Sequence, residues 1–247
     1  MKRYWILPLI LIVILVGCEK EEKEPVVNAC SEGQATVLDI DGNEYGIVSI
    51  GNQCWMKENL RTKRYRNGDT IPTGLTVSQW YNTTAGAWAY YANNAQFDNP
   101  YGKLYNWHAV ADSRGVCPTG WRVPTKGDWD ALVKAIDPDA DTLKRSIDQS
   151  AIAGGAMKEI GNAQDGTGLW DAPNSGATNS SGFSGLPGGY SSNFAASASM
   201  ANVGYWWSST PANNTQAWYR LLYKGYGNVG GDSLSKQFGF SVRCIKE

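Results

Sequence analysis

The pattern of apolar and polar positions changes period several times along the chain. From Tyr4 to Val16 it is apolar without a break, about 13 residues, against the ~20 that a membrane-spanning helix needs. Lys2 and Arg3 precede this block and Leu15-Val16-Gly17-Cys18 closes it. A basic start, a short apolar run and a small residue are the order of a secretory signal peptide, here residues 1–17. Glu19 to Pro25 is almost wholly charged, so 18–35 reads as a solvated tether that cannot enter a core.

Beyond the tether the pattern turns to short strands. Val37 to Ile40 and Tyr45 to Ile50 flank Asp41-Gly42-Asn43, which predicts a hairpin. A second turn at Gly51-Asn52 leads into Gln53-Cys54-Trp55-Met56. Helical period appears once clearly. Trp129, Leu132, Val133 and Ile136 fall on one stripe, Thr125 caps it with Asp128 three residues on, and Asp137-Pro138 ends it. The spacing predicts a helix over Lys126 to Ile136, with a weaker one through Leu143 to Ile147 that Gly154-Gly155 interrupts. Gly161 to Ser199 is rich in Gly, Ser, Asn and Ala and too long for an ordinary connection. It is either a structured loop region with a role or a flexible insert. Three closing strands are predicted at Tyr205 to Ser208, Ala217 to Tyr223 and Phe238 to Ile245. In the last, Phe238, Phe240, Val242 and Cys244 alternate with Gly239, Ser241 and Arg243, placing the first set on the core side.

Composition narrows the chemistry. The 11 Trp and 13 Tyr suit half-wet surfaces as well as cores, and 28 Gly imply many loops. Without Lys2 and Arg3, 20 basic residues face 23 acidic ones, a net charge of −3, with no basic stripe for nucleic acid. His108 is the single histidine, so no multi-His metal site can form within the chain. With Cys18 set aside, Cys30, Cys54, Cys117 and Cys244 remain, an even number suited to an oxidising compartment. Four cysteines allow three pairings; the favoured one joins near neighbours, Cys30–Cys54, and ties the middle to the end, Cys117–Cys244, with four free thiols as the alternative. A zinc site from all four would lack any CxxC pair, and no metal or other cofactor is expected.

The sharpest binding candidates are Trp80, Tyr81, Trp88, Tyr90 and Tyr91, in a segment with Asn82, Asn93 and Asn94. Flat aromatic faces beside amides suit sugar rings; the competing reading is a small second core under the loops. Asp39, Asp41 and Asn43 invite a calcium reading, but Glu44 and Ile50 stand where an EF-hand loop needs Gly and Glu. For catalysis, Asp112, Asp128 and Asp130, or Asp165 with Asp171, are the available carboxylates, and turns or caps explain them equally well. Ser184 lacks the Gly-x-Ser-x-Gly of a nucleophile elbow.

Seven ordered segments resemble the Fibrobacter succinogenes major paralogous domain family: Asp39–Tyr45, Gln53–Leu60, Tyr101–Trp107, Cys117–Thr125, Gly182–Tyr190, Tyr205–Thr210 and Gly239–Cys244. The resemblance spans Ala35 to Lys246. Leu15-Val16-Gly17-Cys18 likewise resembles the lipobox of bacterial lipoproteins, implying lipidation at Cys18, and the acidic residues after it look like a surface-export signal. Trp121-Arg122-Val123-Pro124-Thr125 and Val242-Arg243-Cys244 also resemble C-type lectin-like domains, in which a helix cysteine pairs with one on the last strand, here Cys117 and Cys244. The Glu-Pro-Asn, Gln-Pro-Asp and Trp-Asn-Asp signatures of calcium-dependent sugar binding are missing from this sequence. Where this chain has His108 the family commonly has Tyr, which argues against a catalytic imidazole. Formylglycine-generating enzymes share that fold, but their reactive cysteine pair has no counterpart once Cys117 and Cys244 are paired.

The expectation is therefore an α+β, C-type lectin-like domain over 36–247, with mostly antiparallel strands, one or two helices and long loops. It is expected to be a lipid-anchored envelope or surface module, without enzymatic activity, that binds a polysaccharide or a surface protein. A carbohydrate-active enzyme and a structural envelope component are the alternatives.

Overall fold

The computed structural model describes residue 1, residue 30 and the stretches 33–192 and 196–247, so Cys18 and the expected signal peptide lie outside the described residues. The strands are β1 Thr36–Leu38, β2 Glu44–Ile50, β3 Gln53–Met56, β4 Trp88–Ala89, β5 Leu104–Tyr105, β6 Trp121–Arg122 and β7 Ser146–Ser150. They continue as β8 Tyr190–Ser191, β9 Ser197–Ala198, β10 Val203–Pro211, β11 Gln216–Tyr223, β12 Val229–Ser235 and β13 Ile245–Lys246. The helices are short except one: α1 Val77–Asn82, α2 Asp98–Tyr101, α3 Trp107–Val110, α4 Lys126–Ile136 and α5 Ala153–Met157. The architecture is a mixed one of antiparallel sheets with few helices. One sheet has the order β1-β2-β3-β13-β6 and the other β10-β11-β12-β7, with two further two-stranded sheets, β4-β5 and β8-β9.

The predicted hairpins form because their turns are chemically complete. Val37 opposes Tyr45, and the Asp39 carboxylate accepts from the Asp41 and Asn43 backbone N–H groups and from the Tyr45 hydroxyl. These acidic residues thus build a turn rather than a calcium loop. The helix α4 has the predicted bounds, and its capping box pairs Thr125 with Asp128. Its stripe lays Trp129 against Trp55, with ring centroids 4.7 Å apart, and against Phe183 and Trp206 at 5.8 and 6.5 Å. Each such ring removes about 200 Å² from water, about 5 kcal/mol gross, so this cluster anchors one core between α4 and the second sheet. The other core centres on Trp207 and Phe240, 4.3 Å apart.

Three expectations need correction. Leu143 to Ile147 is not a helix: Ser146–Ser150 is the edge strand β7, and Leu143 and Ile147 stand 84% and 39% exposed, so no core rewarded helical spacing there. Gly154-Gly155 does not break a helix but lies inside α5, where a Cβ on either would run into the backbone of Asn228 or Gly176. The segment Phe238 to Ile245 is extended but enters a regular ladder only at Ile245–Lys246; Gly239, Phe240 and Ser241 instead bridge Ser191, Tyr105 and Trp206. Both of its faces are covered, and Arg243 is fully buried rather than wet. The long Gly161 to Ser199 stretch is a structured loop region wherever it is described, and it buries Trp170 and Phe183 completely.

Asn59 ties these pieces together. Its Oδ1 accepts from Trp206 Nε1 at 2.8 Å and from the Arg243 guanidinium at 3.0 Å, while its Nδ2 donates to the Tyr101 carbonyl and the Ser241 hydroxyl. Four of the seven motif segments therefore meet at one buried amide. Both disulfides form in the favoured pairing, with Cα–Cα distances of 5.0 Å for Cys30–Cys54 and 5.9 Å for Cys117–Cys244.

Lys158 is a second buried staple. Its ammonium donates to the carbonyls of Ser175, Tyr223 and Tyr226 and lies 5.5 Å from the centre of the Trp170 ring. Burial pushes its pKa from 10.5 down to about 8. Between those two values the unfolded chain keeps a proton that the folded chain has shed, so stability contributed by this group rises with pH over that window. Urea midpoints compared at about pH 7.5 and about pH 9.5 should rise more for the native chain than for Lys158→Met; parallel behaviour would remove the linkage.

Candidate functional site

The five aromatics singled out in the sequence do not form one patch. Trp80, on α1, is 2% exposed; its indole N–H donates to the Gln237 carbonyl at 2.7 Å and its ring lies under Gly239. Trp88, on β4, is 4% exposed and donates to the Ile71 carbonyl. A tryptophan whose N–H finds an internal carbonyl can be buried at little cost, and neither ring has a free face. Tyr90 is half-buried, edge-on to Trp88 at 4.9 Å, and both rings face the Lys103 ammonium at 5.0–5.3 Å. Tyr91 packs edge-on to Phe97 at 5.6 Å and its hydroxyl accepts from the Met200 N–H, while Tyr81 is exposed. The amides are partly engaged as well: Asn82 bonds Ser78, and Asn94 caps the following turn.

The aromatic surface lies elsewhere, on the face of the second sheet opposite α4. In β10 and β11, Trp206 pairs with Arg220 and both point toward α4, where Arg220 meets Asp130. Their strand neighbours Tyr205, Trp207, Tyr219 and Leu221 must then point the other way. Tyr205 and Tyr219 are 5.6 Å apart, and Tyr190, from β8, meets Tyr205 edge-on at 5.4 Å and Phe238 at 5.8 Å. Beneath them Phe240 is fully buried and stacks on Tyr205 at 4.9 Å, with an interplanar angle of 14°. The four outer rings are partly buried and pack against the core.

Their hydroxyls differ from those of the core tyrosines. Tyr45 and Tyr105 are fully buried and donate to Asp39 and to the Thr62 carbonyl. No residue among those described hydrogen-bonds the hydroxyls of Tyr190, Tyr205 or Tyr219. Burial raises the Tyr205 pKa, with Tyr190 adding to it; burial raises that of Tyr219, with Tyr205 and Asp232 adding. These tyrosines thus sense one another in sequence, and the row ends at Asp232, directly across from Tyr219 and bonded to Arg145 at 2.7 Å. The surface offers apolar faces, hydroxyls without a partner among the described residues, and an ion pair. It was legible only in part: Tyr205 and Tyr219 share a strand parity with Trp207 and Leu221, but their meeting depends on the β10–β11 register.

The candidate catalytic carboxylates are occupied. Asp112 accepts two contacts from Arg114, whose hydrogen bonds hold its pKa down at about 2. Asp128 serves the α4 cap and Arg122, Asp130 binds Lys126 and Arg220, Asp165 closes a turn with Thr167, and Asp171 accepts from Gln164 and Asn202. His108 is half-buried, and burial, then the Lys236 charge, lower its pKa. Ser184 bonds Asn179 in its loop. No group of three or more His, Cys, Asp or Glu residues converges to hold a metal among the described residues. No described helix is long and apolar enough to cross a membrane.

Compared with known proteins, residues 48–246 match the sequence profile described as the Fibrobacter succinogenes major domain. The match begins within β2 and takes in every later element, including the tyrosine row. No curated protein and no solved structure matches the chain.

Proposed function

The chain belongs to the Fibrobacter succinogenes major domain family, and on that framework we propose a lipid-anchored, non-enzymatic binding module of the cell envelope, C-type lectin-like in fold, whose ligand is a neutral glycan strand. The observation that carries this reading is the row Tyr190–Tyr205–Tyr219, with partly buried rings packed on the core and hydroxyls that no described residue hydrogen-bonds. Sugars present an apolar face of C–H groups and a rim of hydroxyls, so a ring with a free phenol beside it answers both. Rings fixed from below by Phe240 lose little conformational entropy on binding. The long disulfide Cys117–Cys244 and the Val-Arg-Cys terminus support the lectin-like reading, and the leader ending at Cys18 supports anchoring.

The carboxylates argue for binding over turnover, since each candidate is held by a cation, a cap or a turn. The proposal is tested on two readouts. The full chain should partition into membranes, and Cys18→Ser should release it to the soluble fraction; partition unchanged by that substitution would remove the anchor. In native gels containing neutral soluble polysaccharides, the exported part should be retarded by at least one of them; free migration through all would remove the glycan reading.

A further inference from the structure

We propose that a cleft between the first hairpin and the segment after β3 is a second ligand site, one that takes the carboxylate of an acidic sugar residue. Its volume is about 360 Å³, at the small end of ligand pockets and enough for a single sugar ring. Along the sequence Lys and Arg look scattered, but the fold brings Arg61, Lys63, Arg64 and Lys103 to this one cleft.

Two of these charges are already balanced. Lys103 is buried and bonds both oxygens of Asp98, at 2.7 and 2.8 Å, and Arg64 lies 3.4 Å from Asp41. The other two are not. Lys63 is exposed and its ammonium has no carboxylate partner among the described residues. Arg61 gives one nitrogen to the Glu44 carbonyl and lies 5.5 Å from the centre of the Tyr45 ring, yet its buried Nε has no hydrogen-bond partner. No carboxylate pairs with the Arg61 guanidinium among the described residues, so its charge adds to the attraction for an incoming anion. The crowding is felt by the neighbours: after the effects of its own burial and of Asp98, the charges of Lys63 and Arg61 lower the pKa of Lys103.

The walls also say what kind of anion fits. Asp41 and Asp98 balance only two of the four cations, so the cleft keeps a net positive charge that attracts an anion, while a bare phosphate brings few donors for the acceptor oxygens there. Those same oxygens, with Asn43 and Thr70, are acceptors placed for sugar hydroxyls. A monoanion rich in hydroxyls, a hexuronate unit in a polysaccharide, matches both features. The site is separate from the tyrosine row and stands whether or not that row binds neutral glycan.

The test is calorimetric titration of the exported chain with a tetragalacturonate, a neutral galactose tetramer and inorganic phosphate. The uronate oligomer should bind, weaken with added salt, and lose about tenfold or more in affinity for Lys63→Glu, an exposed change that leaves the fold intact by circular dichroism. Tyr205→Ala should bind it as the native chain does. The proposal is overturned if the uronate oligomer does not bind, if phosphate binds as tightly, or if Lys63→Glu leaves the uronate affinity unchanged or weakens the neutral tetramer equally.

Discussion

Arg243→Ala should cost about 4 kcal/mol of stability, the combined effect of a large cavity and of charge-assisted hydrogen bonds lost at a buried site. The side chain is fully buried. Its guanidinium donates to the carbonyls of Phe183 and Ser184 and to Asn59 Oδ1, and it stacks over the Phe183 ring at 4.1 Å. Without it the loop carrying Phe183 loses its tie to the last segment, and the aromatic cluster on α4 loses one wall. Arg243→Met refills most of the cavity but leaves those carbonyls unpaired, so it should recover only about half of the loss. Arg243→Lys supplies a charge without the planar fork and should fall between the two. Chemical denaturation of the three variants checks the order, and a loss below about 1 kcal/mol for alanine would show that the network contributes little.

Replacing Cys117 and Cys244 together by serine should cost about 5 kcal/mol, and replacing Cys30 and Cys54 about 3 kcal/mol. The difference follows from loop length, because the bridges close separations of 127 and 24 residues and a longer closed loop removes more entropy from the unfolded chain. The longer bridge also joins the segment before β6 to the segment before β13, which are neighbours in the first sheet, so its loss loosens the ladder Ile245–Arg122. Denaturant midpoints of the two double variants give the comparison. Equal losses, or a larger loss for Cys30–Cys54, would mean that native-state effects outweigh loop entropy.

What could be read in the sequence was what local chemistry fixes. The α4 stripe carried its own cap and stop, and the β1–β2 hairpin carried its own turn, so both appear where the pattern put them. Strands that depend on partners were harder to see. In β12, Val229-Gly230-Gly231-Asp232-Ser233 has almost no strand-favouring side chains, because Gly231 leaves room for the Arg220 side chain. Arg243 looked wet because alternation assigns one open face to a strand, and only the loop after Gly182 shows that this face is closed. The site failed for a similar reason. Trp80 and Trp88 stood in a polar segment that looked open, yet each indole N–H found a carbonyl far along the chain or across a loop. Tyr190, Tyr205 and Tyr219 lay inside motif segments or strands and nothing local singled them out, whereas cross-strand register brings them together with their rings only partly buried.

The central claim is that the tyrosine row is the glycan-binding surface, and position-specific affinity tests it most directly. With whichever neutral polysaccharide retards the native chain, calorimetry on Tyr205→Ala and Tyr219→Ala should each show affinity reduced about tenfold or more, while Tyr81→Ala and Tyr226→Ala, exposed tyrosines outside the row, stay near the native value. Equal affinity for the Tyr205 and Tyr219 variants, or a loss confined to Tyr81 or Tyr226, would contradict the account.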